Sequence, residues 1–443
     1  MPLYEIAAAS GFTLPHEPTE SAGRAAVSEE RRIRLIGSFS RMIDGRWTSG
    51  RAAVGETGQY LNTFGVHPKE ARVVARDKDM FDDFDVDRRP LVLIWEVTQA
   101  CGLACRHCRA DAKPERHPDE LTTEEGKRLL DDAAEFGDGH LVVLSGGDPL
   151  ARDDLTELIS YGDDLGHRMT ITPSGTASLT PDRVEALADA GIRRMALSID
   201  GATRESRDRF RGEESFEDTL TAARAVREAG LPLQVNTTVC AETVDELPTI
   251  RDEVRDLGAV LWSVFFLVPV GRGRILDPIP PERAERVMEC LHDVTETEGF
   301  GVKTTEAPFY RRVGLQRDGN SGTARRRGGI TAGRGFAFVN HTGETYPSGF
   351  LPKSAGNVRD RSVADIYRNA ELFESLRHLD RLEGKCGACE FRQVCGGSRS
   401  RAFAATGDPL ASDPLCPYVP DGYDGELPET LAGESAGVPD AAD

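Results

Sequence analysis

Residues 95–108, WEVTQACGLACRHC, join a short apolar strand predicted at 91–97 to three closely spaced cysteines. Cys101, Cys105 and Cys108 are separated by three and then two residues, so their thiolates should converge on one metal centre. Three thiolates on a [4Fe–4S] cubane leave one iron without a protein ligand, and that iron can hold a small chelating molecule. A zinc knuckle with His107 or His117 as the fourth ligand is the alternative.

The sequence around this loop alternates between strand and helix patterns. Apolar runs predict strands at 91–97, 140–145, 168–172, 194–199, 233–239 and 260–268. Helical patterns follow at 122–135, 153–165, 181–190, 216–229, 244–257 and 281–295. Six units at roughly thirty-residue spacing indicate βαβ repeats. Parallel strands with crossover helices form an open doubly wound sheet or a barrel, and the chemistry should lie at the carboxyl ends of the strands.

Small and polar residues follow three of these strands, and Ser174, after the strand predicted at 168–172, is one of them. Gly146 and Gly147, in SGGDPL at 145–150, would let the backbone approach a ligand closely, and Pro149 fixes the turn. A side chain at Gly147 should therefore weaken ligand binding and leave the metal centre intact. Ser198 and Asp200 in SIDG suit a ribose or an amino group, although an Asx turn that caps the next helix would use the same residues.

Four further cysteines lie near the carboxyl end, at Cys386, Cys389, Cys395 and Cys416. Their spacing of two, five and twenty residues supplies the four thiolates of a fully ligated iron–sulfur cluster, with a structural zinc site as the alternative. The remaining two, Cys240 and Cys290, stand alone, and we expect them to be small buried hydrophobic residues.

The chain is acidic and poor in lysine. Its 443 residues include 54 basic and 74 acidic ones, a net charge of −20, and only seven of the basic residues are Lys. This charge argues against nucleic acid and anionic membranes as partners. The balance is typical of a protein from a high-salt cytoplasm, or else of a high-GC genome. With no long apolar segment and no signal-like amino terminus, a cytoplasmic location is expected.

The three cysteines, the Gly-Gly-Asp-Pro turn and the Ser-Ile-Asp-Gly strand end together resemble the radical SAM superfamily over residues 90–300. The resemblance implies a partial (β/α)6 barrel in which the open iron chelates SAM and a reduced cluster generates a 5′-deoxyadenosyl radical. It also implies an electron donor such as a ferredoxin or flavodoxin. Cofactor-binding roles are implied for Gly146, Gly147, Asp148, Pro149, Ser174, Ser198, Asp200 and Arg211. His107 stands where many members carry an aromatic ring before the third cysteine.

The second cysteine group resembles the carboxyl-terminal SPASM/twitch extension, which implies one auxiliary [4Fe–4S] cluster. Ser348 stands where full SPASM domains place a further cysteine. The implied organisation is an amino-terminal extension at 1–88, the radical SAM barrel at 89–300, a twitch-like domain at 301–420 and a disordered acidic tail at 421–443.

Segments such as LWSVFFLVP at 261–269 and KTTEAP at 303–308 resemble the Fe-coproporphyrin III decarboxylase branch of the alternative haem pathway. That branch converts two propionates to vinyls, so the resemblance implies an anionic porphyrin substrate. Lys303, Arg325, Arg326 and Arg327 are the candidate carboxylate clamp, since Arg pairs with carboxylates in a bidentate manner; a solvated basic loop is the alternative. A peptide-modifying maturase that docks its leader on residues 1–88, and a non-catalytic iron–sulfur scaffold, are the alternative functions.

Overall fold

Six strand–helix units follow one another in the computed structural model, which describes residues 85–212, 215–318 and 329–429. The strands are β1 (Val92–Glu96), β2 (Leu141–Ser145), β3 (Arg168–Ile171), β4 (Arg194–Ser198), β5 (Leu233–Val239) and β6 (Leu261–Phe266). The helices are α1 (Thr123–Ala134), α2 (Leu155–Asp164), α3 (Pro181–Asp189), α4 (Arg204–Arg211), α5 (Ser215–Glu228), α6 (Leu247–Asp256) and α7 (Pro281–Thr297). The predicted β/α alternation is therefore confirmed, with α4 as an additional helix.

The ends of the helices follow from local sequence. Thr122 caps α1 through a capping box in which its hydroxyl accepts from the Glu125 backbone N–H and the Glu125 side chain accepts from the Thr122 N–H. Thr180 caps α3, whose first residue is a proline. After α5 and α6 the chain turns at Gly230 and Gly258, with φ of +74° and +65°. This left-handed conformation favours glycine and stops each helix.

The sheet is longer than the six predicted strands. Four more strands, β7 (Gly301–Thr305), β8 (Phe336–Val339), β9 (Glu344–Tyr346) and β10 (Gly356–Asn357), complete the order β10-β9-β8-β1-β2-β3-β4-β5-β6-β7. All neighbours from β8 to β7 in this order are parallel, and the β8–β9 and β9–β10 pairs are antiparallel. Among the described residues the two end strands do not pair, so the barrel is partial, as predicted.

Side chains of β1 alternate between the helices and an internal cavity. Leu93 and Trp95 are fully buried, and Val92 and Ile94 line the cavity. The Trp95 ring packs so closely on α1 that a Cβ at Gly126 would lie 2.5 Å from it. Glycine is therefore needed at this crossing of helix and strand.

Residues after 300 belong partly to the same sheet. β7 pairs with β6 from Gly301 onward, and β8 pairs with β1, so the sheet runs across the predicted boundary between residues 300 and 301. Within the described residues, five α-helices follow β7: α8 (Tyr310–Arg317), α9 (Val363–Asn369), α10 (Glu371–Arg377), α11 (Gly384–Ala388) and α12 (Arg399–Thr406). The carboxyl-terminal part thus completes one wall of the cavity.

Several predictions concern residues at the edge of, or beyond, the described part. Most of the proposed extension at 1–88 lies outside the described residues. Part of the acidic tail at 421–443 also lies outside them. No helix within the described part is long and apolar enough to cross a membrane. Cys240 is buried as expected, but the expectation for Cys290 was wrong, because it lies on the exposed side of α7.

Candidate active site

The three-cysteine loop leaves the carboxyl end of β1 and lies at a cavity of about 390 Å³. Cys101 and Cys105 are buried, and all three thiols line this cavity. The start of the loop is fixed by Glu120, whose carboxylate accepts from the Thr98 hydroxyl at 2.6 Å and from the Gln99 N–H at 2.9 Å. The loop is therefore held in place by hydrogen bonds from the protein itself.

The donor set fits a cluster better than a single ion. Within the three described ranges, no three His, Cys, Asp or Glu side chains are placed to hold one metal ion. Each thiolate of a cubane binds a different iron, so such thiols surround a volume rather than a point. Of the two histidines of the zinc alternative, His107 stacks on Phe210 at 4.6 Å with its Nε2 facing Asp200 Oδ2 at 3.7 Å, and His117 Nδ1 accepts from the Asp119 N–H.

The thiols need positive charge nearby to ionise. Burial raises the pKa of Cys101 to about 11. Burial also raises the pKa of Cys105, and the positive charges of Arg211 and Arg272 oppose that shift. Cluster binding would therefore release protons, as thiolate ligation does in general.

The glycine turn after β2 packs directly on the cysteine loop. The Gly147 N–H donates to Thr98 O at 2.8 Å, and the Asp148 N–H donates to Ala100 O at 2.6 Å. A Cβ at Gly146 would lie 2.5 Å from Thr98 O, and one at Gly147 would lie 2.3 Å from Ala100 O. The glycines are thus required by contact with the loop backbone. The sequence predicted an intact metal centre in a Gly147 variant, whereas this geometry leads us to expect that a side chain at Gly147 would also disturb the cysteine loop.

Asp148 and Pro149 lie outside the cavity wall and next to residues that form it. The Asp148 carboxylate accepts from the Ser174 hydroxyl at 2.5 Å and from the Leu150 N–H at 3.2 Å. Neither Asp148 nor Pro149 lines the cavity, whereas Ser174 and both glycines do. Asp148 therefore ties the end of β2 to the end of β3.

Asp200 and Arg211 form a buried ion pair, with Arg211 Nη1 at 2.7 Å from Asp200 Oδ2. Burial raises the pKa of Asp200, but the charges of His107 and Arg211 outweigh it, so the pKa is lowered and the group stays ionised. Ser198 and Arg211 line the cavity, and Asp200 lies behind them. The buried Arg211 Nε has no partner among the described residues, so it can donate to a bound carboxylate.

Arg272, after β6, was not singled out from the sequence. Its guanidinium donates to Cys105 O and to Ala112 O, both at 2.9 Å, and its own N–H donates to Cys108 O at 3.0 Å. The preceding Gly271 has φ of +54°, and a Cβ there would lie 2.4 Å from a loop carbonyl. In the sequence, the Gly-Arg-Gly-Arg run after a predicted strand could have identified Arg272 as a site residue.

The second cysteine group lines a separate small cavity that contains all four predicted thiols, together with Arg312 and Lys385. Backbone N–H groups donate to Cys386 Sγ and Cys395 Sγ, each at 3.4 Å, as expected for ligand sulfurs. Burial raises the pKa of Cys416 to about 12, and Arg312 opposes the shift. With Arg392, which also lines the cavity, four thiols and three cations fit a fully ligated cluster.

One residue, Gly397, lines both cavities. Its N–H donates to Cys395 Sγ, and a Cβ on it would lie 3.0 Å from Cys386 Sγ. Ser348 faces the main cavity and donates to Glu306 instead of joining the cysteines.

The main cavity is strongly basic. Among the described residues its wall carries one acidic side chain, Glu306, and seven basic ones: Arg109, Arg194, Arg211, Arg272, Lys303, Arg311 and Arg399. Lys303 was predicted from the sequence, and Arg325, Arg326 and Arg327 lie outside the described residues. Arg109, Arg211 and Arg272 are ion-paired with Glu96, Asp200 and Asp111, and the remaining excess of positive charge suits an anionic ligand.

Comparison with known proteins agrees with this geometry. The radical SAM superfamily model matches residues 95–254. The AdoMet-dependent heme synthase of Methanosarcina barkeri is 40% identical over 341 residues, covering 75% of this chain and 97% of that protein. The protein of the same name from Oleidesulfovibrio alaskensis is 40% identical, with 74% and 87% covered. The crystal structure of Streptococcus suis SuiB bound to precursor peptide SuiA aligns with a TM-score of 0.63 at 17% identity, covering 88% of each chain.

Proposed function

The chain belongs to the radical SAM superfamily and to the family of the AdoMet-dependent heme synthases, and on that premise we propose that it decarboxylates two propionates of Fe-coproporphyrin III to form haem. One observation carries this proposal. In a chain of net charge −20, the cavity wall beside the cysteine loop holds seven basic residues and one acidic residue. Such a wall attracts the carboxylates of a porphyrin.

The residues of the main site have separate tasks. Cys101, Cys105 and Cys108 would hold the cluster, which with bound SAM supplies a radical able to remove hydrogen from an unactivated carbon. Arg211 keeps its charge through Asp200 and presents its Nε for the SAM carboxylate. The glycine turn keeps the cysteine loop in register with the end of β2.

The proposed reaction requires an electron acceptor. Each propionate loses one hydrogen atom, one electron and carbon dioxide, and a vinyl group remains. We assign the acceptor role to an auxiliary cluster held by the four carboxyl-terminal cysteines. Gly397 supports this assignment, because a single backbone segment separates those thiols from the main cavity.

The reductant is inferred from the family, and the location and the excluded partners are inferred from composition. We infer a ferredoxin or flavodoxin as the reductant, a cytoplasmic location, and no nucleic-acid or membrane partner. The acidic, lysine-poor composition further supports activity at high salt, where screening makes a net charge of −20 tolerable.

An anaerobic assay tests the function. The reconstituted protein is incubated with SAM, a strong reductant and Fe-coproporphyrin III, and the pigment is analysed by mass spectrometry. We expect two successive losses of carbon dioxide with two hydrogens, and one 5′-deoxyadenosine for each loss. Cleavage of SAM without any change in the pigment would contradict the proposal and favour a peptide substrate.

A further inference from the structure

Three basic side chains from separate elements share the main cavity. Lys303 lies on β7, Arg194 is the first residue of β4, and Arg311 lies in the first turn of α8. Val394 O and Ile330 O accept hydrogen bonds from the Arg311 guanidinium, at 3.3 and 3.0 Å, and so fix its position. The three cations thus belong to the rigid wall of the cavity.

These charges repel one another. Burial, followed by the positive charges of Arg194 and Arg311, lowers the pKa of Lys303 to about 8. No described carboxylate forms an ion pair with Lys303 or Arg311. A bound anion would relieve this repulsion, and it would restore the full charge of the lysine.

The acidic residue on the same wall is committed elsewhere. The Glu306 carboxylate accepts from the hydroxyls of Ser348, Ser398 and Ser400, at 2.9, 2.5 and 2.8 Å. It forms no ion pair within the described residues, so it does not neutralise the three cations.

Arg194 lies at the end of its strand opposite to the residues predicted to bind the cofactor. Arg194 begins β4, and Ser198, which lines the cofactor side of the cavity, ends it. Four residues of extended chain span about 13 Å. A group bound near Arg194 is therefore distant from the carboxyl end of β4, where Ser198 lies.

We propose that Lys303, Arg194 and Arg311 form a subsite that anchors a carboxylate of the substrate which does not react. This inference rests on the proposed function. Two of the four propionates of Fe-coproporphyrin III would remain in the product, and one of these occupies the subsite. The subsite thus selects substrates with a carboxylate remote from the reacting side chain.

Porphyrin binding to the anaerobic holoenzyme tests the subsite. Metal-free coproporphyrin III is titrated by fluorescence against the wild type, Lys303→Met, Lys303→Arg and the matched control Lys353→Met. Lys353 is exposed and does not line the cavity. Its replacement by Met therefore changes the net charge as Lys303→Met does and leaves the cavity wall unaltered. We expect Lys303→Met to bind about ten- to a hundredfold more weakly, because one charge-assisted contact is lost. Lys303→Arg should recover most of the affinity, and the control should match the wild type.

Two further readouts separate binding from a structural role. Loss of one of three repelling charges should leave the melting temperature of Lys303→Met unchanged or higher. In the wild type, porphyrin should protect Lys303 from acetylation at pH 8, as measured by peptide mass spectrometry. If the wild type binds porphyrin, an unchanged affinity in Lys303→Met would overturn the subsite alone. A lack of protection of Lys303 from acetylation in the wild type would do the same. Absence of porphyrin binding by the wild type would overturn the proposed function and the subsite with it.

Discussion

A single methyl group at Gly147 is expected to disrupt the first iron–sulfur site as well as SAM binding. The added Cβ would lie 2.3 Å from Ala100 O and 2.5 Å from Gln99 O. Both oxygens belong to the backbone that leads into Cys101, so no flexible side chain can move aside. Carbon and oxygen approach to about 3.3 Å at closest, which forces a shift of about 1 Å.

The cost follows from two hydrogen bonds. The shift would strain the bonds from the N–H groups of Gly147 and Asp148 to Thr98 O and Ala100 O, now at 2.8 and 2.6 Å. A backbone hydrogen bond contributes about 0.5–1.5 kcal/mol, and a buried group left unpaired costs about 1–3 kcal/mol. We therefore expect Gly147→Ala to destabilise the cysteine loop by about 2–4 kcal/mol.

The matched control lies in the same loop. Gly102 is exposed, and a Cβ there would meet nothing within 4 Å. After anaerobic reconstitution, Gly147→Ala should lose about half of its iron and sulfide, since one of two clusters is affected. Gly102→Ala should keep all of both. Full cluster content and unchanged SAM affinity in Gly147→Ala would refute the reasoning.

Three other outcomes are expected. Replacing Cys101, Cys105 and Cys108 together by Ala should abolish 5′-deoxyadenosine formation, and undiminished SAM cleavage would reject the assignment. Cys389→Ala should retain uncoupled SAM cleavage but form no haem, and zinc at this site in anaerobically prepared protein would contradict an iron–sulfur role. Arg272→Lys keeps the charge but loses the paired contacts to the loop, so the first cluster should become heterogeneous. A potentiometric titration monitored by electron paramagnetic resonance should show this heterogeneity. A wild-type signal would assign Arg272 to packing alone.

Local patterns predicted the repeating part of the fold well. The predicted strand at 233–239 coincides with β5, and the predicted helix at 216–229 differs from α5 by one residue at each end. In these segments apolar periodicity and caps agree with the tertiary structure. At 244–257 the predicted helix instead begins with a 3-10 turn, Val244–Glu246, and becomes α-helical from Leu247.

Strands that depend on distant partners were missed. β8 has four residues and β10 has two, so neither carries a period that could be recognised locally. Their strand conformation comes from pairing with β1 and β9. A short segment taken alone does not show which distant strand it pairs with.

The chemistry of the site was predicted only where residues cluster along the chain. The cysteine groups and the glycine turn are contiguous motifs, and the structure brings each group to one cavity. Arg194 and Arg272 lie on different strand ends and approach the site only after folding. Arg312, which lies between the predicted clamp residues Lys303 and Arg325 in the sequence, lines the four-cysteine cavity.

Because β8 pairs with β1, the surroundings of the three-cysteine loop are completed only late in translation. Glu96, at the end of β1, binds His341, which follows β8 and lies 245 residues further along the chain. A ribosome adds about 5–20 residues per second, so the second partner emerges roughly 12–50 s after the first. Until then one edge of β1 has no neighbour, and the cavity that the thiols line lacks the part of its wall that β8 contributes. Iron–sulfur insertion is therefore expected to follow release of the finished chain, and a nascent chain stalled before β8 should carry no cluster.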